Sequence, residues 1–429
     1  MDADGHLAHG AAAAAFWKRS PMVTPSSVRI QYSGSVRAPL TGSEAGQEKA
    51  GPNSASGGSP ALAAPDAASP EPSSSGRASD SDSGGGMTGA GADTGGDPTL
   101  QKFHAALGGA TIDIAQLQRL SWKGIPWQHR GTAWQLLMGY LPLNASRRGP
   151  TLQRKRREYD DWVSQTFARG EESLDRVLWH QIRIDVPRTT PGSPIFQAPR
   201  VQRGLERILY CWAARHPASG YVQGINDLLT PFVYVFLEPH LPPTLGSAAQ
   251  VAAAVDALDR SVLSAVEADS FWCLTKLLDG IQDNYTHAQP GIQRQIVKMK
   301  ELVARIDGPL AAHLDAEGVE FIQFAFRWIN CLLMREVNLD SIVRMWDTYL
   351  AEPDGFSSFH IYVCAAFLLK WRKELAQLDF QQIMVFLQQP PTASWGAKDV
   401  ELLLSEAYMY KCLYHDSPSH YASSAPAKR

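Results

Sequence analysis

The sequence predicts an all-α domain that follows a long disordered tail, and three observations support this prediction. Residues 51–100 are dominated by Gly, Ala, Ser and Pro, and no aromatic residue lies between Tyr32 and Phe103. From about residue 100 onward, apolar residues recur at the three- and four-residue spacing that is typical of helices. Alternating β patterns are scarce, and no repeat of 20–50 residues is evident.

The composition of the first 98 residues predicts that they are disordered. Such a segment cannot bury enough apolar surface to offset the entropy that ordering would cost. One island, residues 16–21 with the sequence FWKRSP, combines two aromatic residues, two cations and a Ser-Pro pair. A short binding or phosphorylation motif and a chance cluster both remain open for this island. The folded domain is predicted over 99–416, followed by a short C-terminal tail over 417–429.

The predicted helices follow one another through this domain. The first is marked by Ile114, Leu117 and Leu120, the second is expected to stop at Pro142, and the fourth is closed at His216 and Pro217. Two segments, 228–237 and 319–334, are apolar on nearly every side, which is typical of helices at the centre of a large core. In order, the predicted segments are 114–120, 134–141, 174–182, 201–212, 228–237, 271–281, 292–306, 319–334, 342–350, 359–371, 380–387 and 400–413.

Composition narrows the class of protein. The 429 residues carry 40 Lys and Arg against 43 Asp and Glu, a net charge of −3, so nothing favours nucleic acid or a strongly anionic membrane as partner. The five scattered cysteines indicate buried thiols in a reducing compartment, and no metal-binding spacing is present. Neither a signal peptide nor an apolar run of the ~20 residues that span a bilayer is found. We therefore expect a soluble, cytoplasmic protein with no transmembrane segment.

The segment Ile182–Arg188 presents an arginine directly after a proline. Pro187 disfavours helical geometry at Val186 and is expected to end the preceding helix, which places Arg188 on a stiff loop. Asp185, three residues earlier, can hold the guanidinium group in one orientation. An ordinary surface arginine beside an ordinary aspartate is the alternative that this segment alone leaves open.

The segment Ser219–Gly224 places a glutamine in a turn bracketed by glycines. Gln223 precedes the apolar helix from Ile225 onward, so it lies near a helix N-terminus, whose N–H groups and positive dipole end suit a phosphate-rich partner. A glutamine that merely caps the buried helix is the alternative. Three neighbouring side chains are candidates either for support of Gln223 and its partner or for packing and capping of the turn: Tyr221, Asn226 and Asp227.

An arginine and a glutamine are the two groups that a slow GTPase lacks. The cation neutralises charge on the transferring phosphoryl group, and the amide orients the attacking water. The chain itself has no phosphate-binding G-x-x-x-x-G-K-[ST] loop, no G-x-S-x-G elbow and no recognisable Cys/His pair. The pair therefore suggests a protein that completes the active site of another protein.

The two segments resemble the signature motifs of the TBC-domain GTPase-activating proteins for Rab GTPases, and the resemblance runs from about Leu117 to Tyr414. Ile182, Asp185 and Arg188 match the I-x-x-D-x-x-R motif of that family. The second motif, Y-x-Q-G, is matched by Tyr221, Gln223 and Gly224. Residues 16–20 of the island and several further segments are similar to the member-22 branch of this family: 270–273, 276–285, 288–292, 326–336, 346–349 and 360–367.

The resemblance implies a two-lobed, V-shaped, all-helical domain that supplies two catalytic side chains in trans. Arg188 would be the arginine finger, and Gln223 would take the place of the Rab's own glutamine in positioning water. The Rab would hold GTP and Mg²⁺, so the chain would need no cofactor of its own and would perform no catalysis alone. The branch further implies a role in vesicle trafficking, peripheral association with Golgi or other endomembranes, and adaptor binding through the tail. A non-catalytic scaffold that binds a Rab or a Golgi adaptor is the alternative.

Overall fold

The computed structural model describes residues 97–243 and 247–415, all of which belong to one compact unit. The predicted tail up to residue 96, the island at 16–21 and the C-terminal tail 417–429 lie outside the described residues. Within the described ranges there is no β-strand, only an isolated bridge between Thr111 and Asn144. The prediction of an all-α fold is therefore confirmed.

Eighteen α-helices make up the described part of the chain. They are connected by short turns, four of which are 3₁₀ turns and one a π-helical turn over Gly355–Phe359. In chain order the helices are α1 Pro98–Leu107, α2 Ile114–Ser121, α3 Trp127–Leu137, α4 Ala145–Phe167, α5 Arg176–Asp185, α6 Pro194–Gln197, α7 Pro199–Arg215, α8 Ile225–Leu237, α9 Ala248–Asp256, α10 Arg260–Gly280, α11 Pro290–Ile306, α12 Gly308–Ala316, α13 Ile322–Asn330, α14 Leu339–Ala351, α15 His360–Lys370, α16 Arg372–Leu375, α17 Phe380–Gln388 and α18 Ala397–Tyr414.

Two predicted helices end earlier in the structure than their apolar pattern suggests. The helix predicted over 134–141 ends at Leu137, because Gly139 adopts a positive φ of 66° that breaks the helical path. The segment predicted as one helix over 319–334 is helical only over Ile322–Asn330. Leu332 and Leu333 leave the helix with φ values of 49° and 60°, although both are fully buried. Burial keeps their side chains in the core while the backbone turns.

The helices pack in two groups, in agreement with the two predicted lobes. In the first, α10 packs against α4, α7 and α8. In the second, α15 packs against α11, α13 and α18. Helices α2 and α3 lie against α14, and α1 packs on α2 and α3; α14 also contacts α8 and α18. As predicted for its apolar sequence, α8 is central: all but one of its thirteen residues are buried.

A buried aspartate on α14 anchors the beginning of the domain. Asp347 on α14 accepts hydrogen bonds from the Ile125 N–H at 2.9 Å and from the Trp134 indole at 2.7 Å, and it forms an ion pair with Arg130 at 3.1 Å. Its carboxylate is fully buried, and these donors compensate for the loss of hydration. Residues more than 200 positions apart are joined at this point.

Candidate functional site

The first motif lies at the C-terminal end of helix α5. Asp175 caps its start by accepting hydrogen bonds from the N–H groups of Val177 and Leu178. At the other end, the helix passes directly into a 3₁₀ turn over Val186–Arg188. Ile182 and Val186 are fully buried on either side of this junction. The expected loop is thus a tight turn, which continues the helix and ends at the arginine.

The Arg188 side chain is fixed at its base and open at its tip. Its Nε donates to the carbonyl oxygen of Ile184 at 3.0 Å, and one terminal nitrogen forms an ion pair with Asp185. These bonds leave three of its five N–H donors without a partner in the described part of the chain. About half of the side chain is exposed, at 51 %. The guanidinium group is therefore oriented by the protein but available to a partner.

Asp185 connects the two motifs. One of its carboxylate oxygens bonds Arg188, and the other accepts a hydrogen bond from the Tyr221 hydroxyl at 2.9 Å. Both Asp185 and Tyr221 are buried. Burial, and then the nearby Asp185 charge, raise the pKa of the Tyr221 phenol well above its usual value, so the phenol stays protonated and donates. Tyr221, two positions before Gln223, is thereby held against Asp185, which orients Arg188.

The loop that carries Gln223 is fixed through its main chain. Gly224 adopts a φ of 111°, and its N–H donates to the Asn226 side chain at 3.0 Å. The Gln223 carbonyl accepts a hydrogen bond from the Asn330 side chain at 3.0 Å. By contrast, the Gln223 side-chain amide makes no hydrogen bond to any described residue, and helix α8 has no side-chain cap. Its partly exposed side chain does not cap the helix.

Two polar residues on the first turn of α8 support the loop. Asn226 donates to the Thr189 hydroxyl at 2.9 Å, and that hydroxyl donates to the Asp185 carbonyl at 2.9 Å. Asp227 accepts a hydrogen bond from Arg335 Nε at 2.9 Å and forms an ion pair with a terminal nitrogen of Arg335 at 2.8 Å. Burial raises the pKa of Asp227, and the Arg335 charge opposes that increase. Asn226 therefore ties the loop to the end of α5, whereas Asp227 ties it to the second group of helices.

Three residues of this network are not identified from the sequence: Thr189, Asn330 and Arg335. Asn330 and Arg335 lie more than 100 positions from the loop they contact, and no local pattern marks them. The only signal is that both fall in the segment 326–336, which resembles the member-22 branch. Among the described residues, no group of three or more His, Cys, Asp or Glu side chains is arranged to hold a metal ion.

The geometry suits an anionic partner. A half-exposed guanidinium group on a rigid base can neutralise developing charge on a phosphoryl group. A nearby carboxamide without an internal partner can bind water or a polar group of the partner. The N-terminus of α8, which is the positive end of its dipole, follows Gln223 after a single residue, Gly224. Phosphoryl transfer is the chemistry that uses these three features together.

Comparisons with known proteins agree with this geometry. The Rab-GTPase-TBC domain model, named RabGAP-TBC, matches residues 127–376, which contain both motifs. The chain is 53 % identical over 324 residues to "GTPase-activating protein gyp1" of Schizosaccharomyces pombe, covering 75 % of this chain and 62 % of that protein. It is 51 % identical over 323 residues to human "TBC1 domain family member 22B", covering 75 % of this chain and 63 % of that protein. The chain thus spans somewhat less than two thirds of the length of these curated relatives.

Solved structures give the same result. The crystal structure of the Ypt/Rab-GAP domain of Gyp1p superposes with a TM-score of 0.68 and 49 % identity, covering 74 % of this chain and all of that one. The TBC domain of a Chlamydomonas flagellar RabGAP shares the fold at 17 % identity, with a TM-score of 0.51 over 72 % of this chain and 90 % of that one. The family model, the relatives of the member-22 branch and the fold lead to one conclusion: the chain belongs to the RabGAP-TBC family.

Proposed function

We propose that this chain is a GTPase-activating protein for Rab GTPases, and that it supplies Arg188 and Gln223 to the active site of the Rab. The observation that carries the proposal is the single carboxylate of Asp185, which holds both Arg188 and Tyr221. Because of it, the arginine and the glutamine loop lie on one surface. Relatives named as GTPase-activating proteins support the same function.

In this mechanism the Rab holds GTP and Mg²⁺, and the chain adds no cofactor. The Arg188 guanidinium group stabilises negative charge on the transferring phosphoryl group, and the Gln223 carboxamide orients the attacking water. A finger supplied in trans accelerates hydrolysis by about 10³–10⁵-fold, equivalent to about 4–7 kcal/mol of barrier. The absence of any internal hydrogen bond to the Gln223 amide among the described residues means that none must be broken before it binds.

The test is single-turnover GTP hydrolysis by a panel of purified Rabs with the full chain, compared with Arg188→Ala, Arg188→Lys and Gln223→Ala. We expect strong acceleration of a few Rabs and nearly complete loss in both Arg188 variants, because an ammonium group lacks the planar fork of arginine. Arg183→Ala is the matched control: this arginine lies on the same helix, is half exposed, and pairs with Glu171 and Glu206. Full activity in both Arg188 variants would exclude the arginine as a finger.

The same panel distinguishes the alternative function. GTP-dependent binding of a Rab without any acceleration would identify a non-catalytic scaffold instead. Acceleration lost in Arg188→Ala, with binding retained, would establish the activating mechanism.

We further propose a role in vesicle trafficking, with peripheral association at Golgi or other endomembranes and adaptor binding through the N-terminal tail. Resemblance to the member-22 branch supports this proposal. No helix in the described ranges is long and apolar enough to cross a membrane. The proposal is tested by imaging the tagged chain and by measuring adaptor capture, each compared with a double variant that carries Phe16→Ala and Trp17→Ala. Unchanged localisation and adaptor capture would contradict a role for this motif.

A further inference from the structure

Asn330, the last residue of α13, makes the contact between the second group of helices and the glutamine loop. Its side-chain nitrogen donates to the Gln223 carbonyl at 3.0 Å. The two segments lie so close that a Cβ atom on Gly224 would be only 2.4 Å from that nitrogen. The loop therefore rests directly on the Asn330 carboxamide, and the glycine is what permits this approach.

Asn330 is itself held from the other side. It is 6 % exposed. Its carbonyl oxygen accepts a hydrogen bond from the Tyr285 hydroxyl at 2.8 Å, and its side-chain oxygen lies 3.4 Å from the Gln289 side-chain nitrogen. Tyr285 is fully buried. The donor that contacts Gln223 is thus fixed in place by neighbours that do not belong to the loop.

The backbone directly after Asn330 is strained. Leu332 and Leu333 both have positive φ values, a conformation that is unfavourable for a residue with a side chain. The turn they form places Asn330 on one side and Arg335 on the other, and both contact the start of α8: Asn330 at the Gln223 carbonyl and Arg335 at Asp227. Strain of this kind tends to persist where the surrounding structure demands a particular geometry.

We propose that Asn330 is a positioning residue for Gln223, and that it sets the place from which the glutamine side chain reaches the partner. This inference rests on the proposed function. The loop is held at three points: the Tyr221 hydroxyl by Asp185, the Gly224 N–H by Asn226 and the Gln223 carbonyl by Asn330. Only the Asn330 contact acts on Gln223 itself. Because the side chain of Gln223 has no internal partner in the described chain, the position of its backbone determines its reach.

The test compares Asn330→Ala with Asn338→Ala in single-turnover hydrolysis on a Rab that the wild-type full chain activates. Asn338 is the matched control, because its side chain also donates to a carbonyl, that of Trp395 at 2.9 Å, but lies away from the loop. We expect Asn330→Ala to lower the maximal rate by roughly 10- to 100-fold, the effect of a misplaced catalytic group, with Rab binding nearly unchanged. Asn338→Ala should keep the wild-type maximal rate.

A double variant shows whether Asn330 acts through Gln223. In a Gln223→Ala background, Asn330→Ala should lower the maximal rate no further, since the residue it positions is gone. Equal rates for Asn330→Ala and Asn338→Ala, or a full additional loss in the double variant, would overturn the inference while the proposed function stands. If the wild-type chain accelerates no Rab, the proposed function fails and this inference fails with it.

Discussion

Asp185 is the residue on which the geometry of the candidate site depends most. Its buried carboxylate accepts hydrogen bonds from an arginine three positions later and from a tyrosine in another segment. A neutral carboxamide has only one oxygen and lacks the charge that strengthens a bond to guanidinium. At the scale of single residues, the site is thus an arginine whose orientation is set by one aspartate.

For this reason we predict that Asp185→Asn lowers the acceleration of Rab hydrolysis by about tenfold, which corresponds to about 1.4 kcal/mol of barrier. The shape of the side chain is kept, so the loss reflects weaker orientation of Arg188. Asp340→Asn serves as control: Asp340 also accepts a tyrosine hydroxyl, from Tyr234 at 3.0 Å, and is exposed. Single-turnover rates at saturating activator provide the measurement. An undiminished rate for Asp185→Asn would show that Arg188 needs no such support.

At the scale of elements, the start of α8 is stabilised by a strained turn from the other group of helices. The turn after α13 places Arg335 beside Asp227, whose carboxylate is nearly buried. Removing one partner of such a pair leaves a buried charge without compensation, which is more costly than losing an exposed pair. The loop that carries Gln223 therefore depends on an ion pair between distant elements.

We predict that Arg335→Ala lowers the free energy of unfolding by about 3 kcal/mol at pH 8 and by less at pH 5. Burial raises the pKa of Asp227 in the folded state, and loss of the cation raises it further. Above the ordinary carboxyl pKa, the folded state then binds more protons than the unfolded state, so stability falls as pH rises. Urea unfolding at both pH values measures the effect. Arg294→Ala, which breaks an exposed pair with Asp283, should cost less than about 1 kcal/mol, and an equal cost for the two variants would contradict the argument.

At the scale of the whole molecule, the core of the second group contains a neutral histidine. His360 is fully buried at the start of α15, and burial lowers its pKa to about 4. Its Nδ1 lies 2.9 Å from the Tyr349 hydroxyl, and its Nε2 lies 3.1 Å from the Trp328 carbonyl. A neutral imidazole ring satisfies both contacts, because Nδ1 accepts the hydrogen bond from the Tyr349 hydroxyl and the protonated Nε2 donates to the Trp328 carbonyl. Protonation would remove the acceptor and place a charge in the core.

The expected consequence is a loss of global stability in mild acid. The unfolded state takes up a proton near pH 6.5 and the folded state only near pH 4, so between these values the unfolded state binds more protons and the free energy of unfolding falls as pH falls. From pH 7 to pH 5 this one residue accounts for about 2 kcal/mol. Urea unfolding of His360→Gln should show a drop smaller than wild type by that amount. The same drop in both proteins would mean that other groups cause it.

The sequence alone determined what depends on neighbouring residues. Helical periodicity predicted the all-α class and most helices of the described chain. The short separation of Asp185 and Arg188 allowed their ion pair to be expected. Only the tertiary structure decided which distant groups meet: Tyr221 on Asp185, 36 positions away, and Asn330 on Gln223, 107 positions away. It also decided that the apolar segment after Asn330 turns rather than continuing as a helix, with Leu332 and Leu333 buried in strained conformations. Such contacts follow from the packing of helices against one another, which outweighs local preference and leaves no periodic signal in the chain.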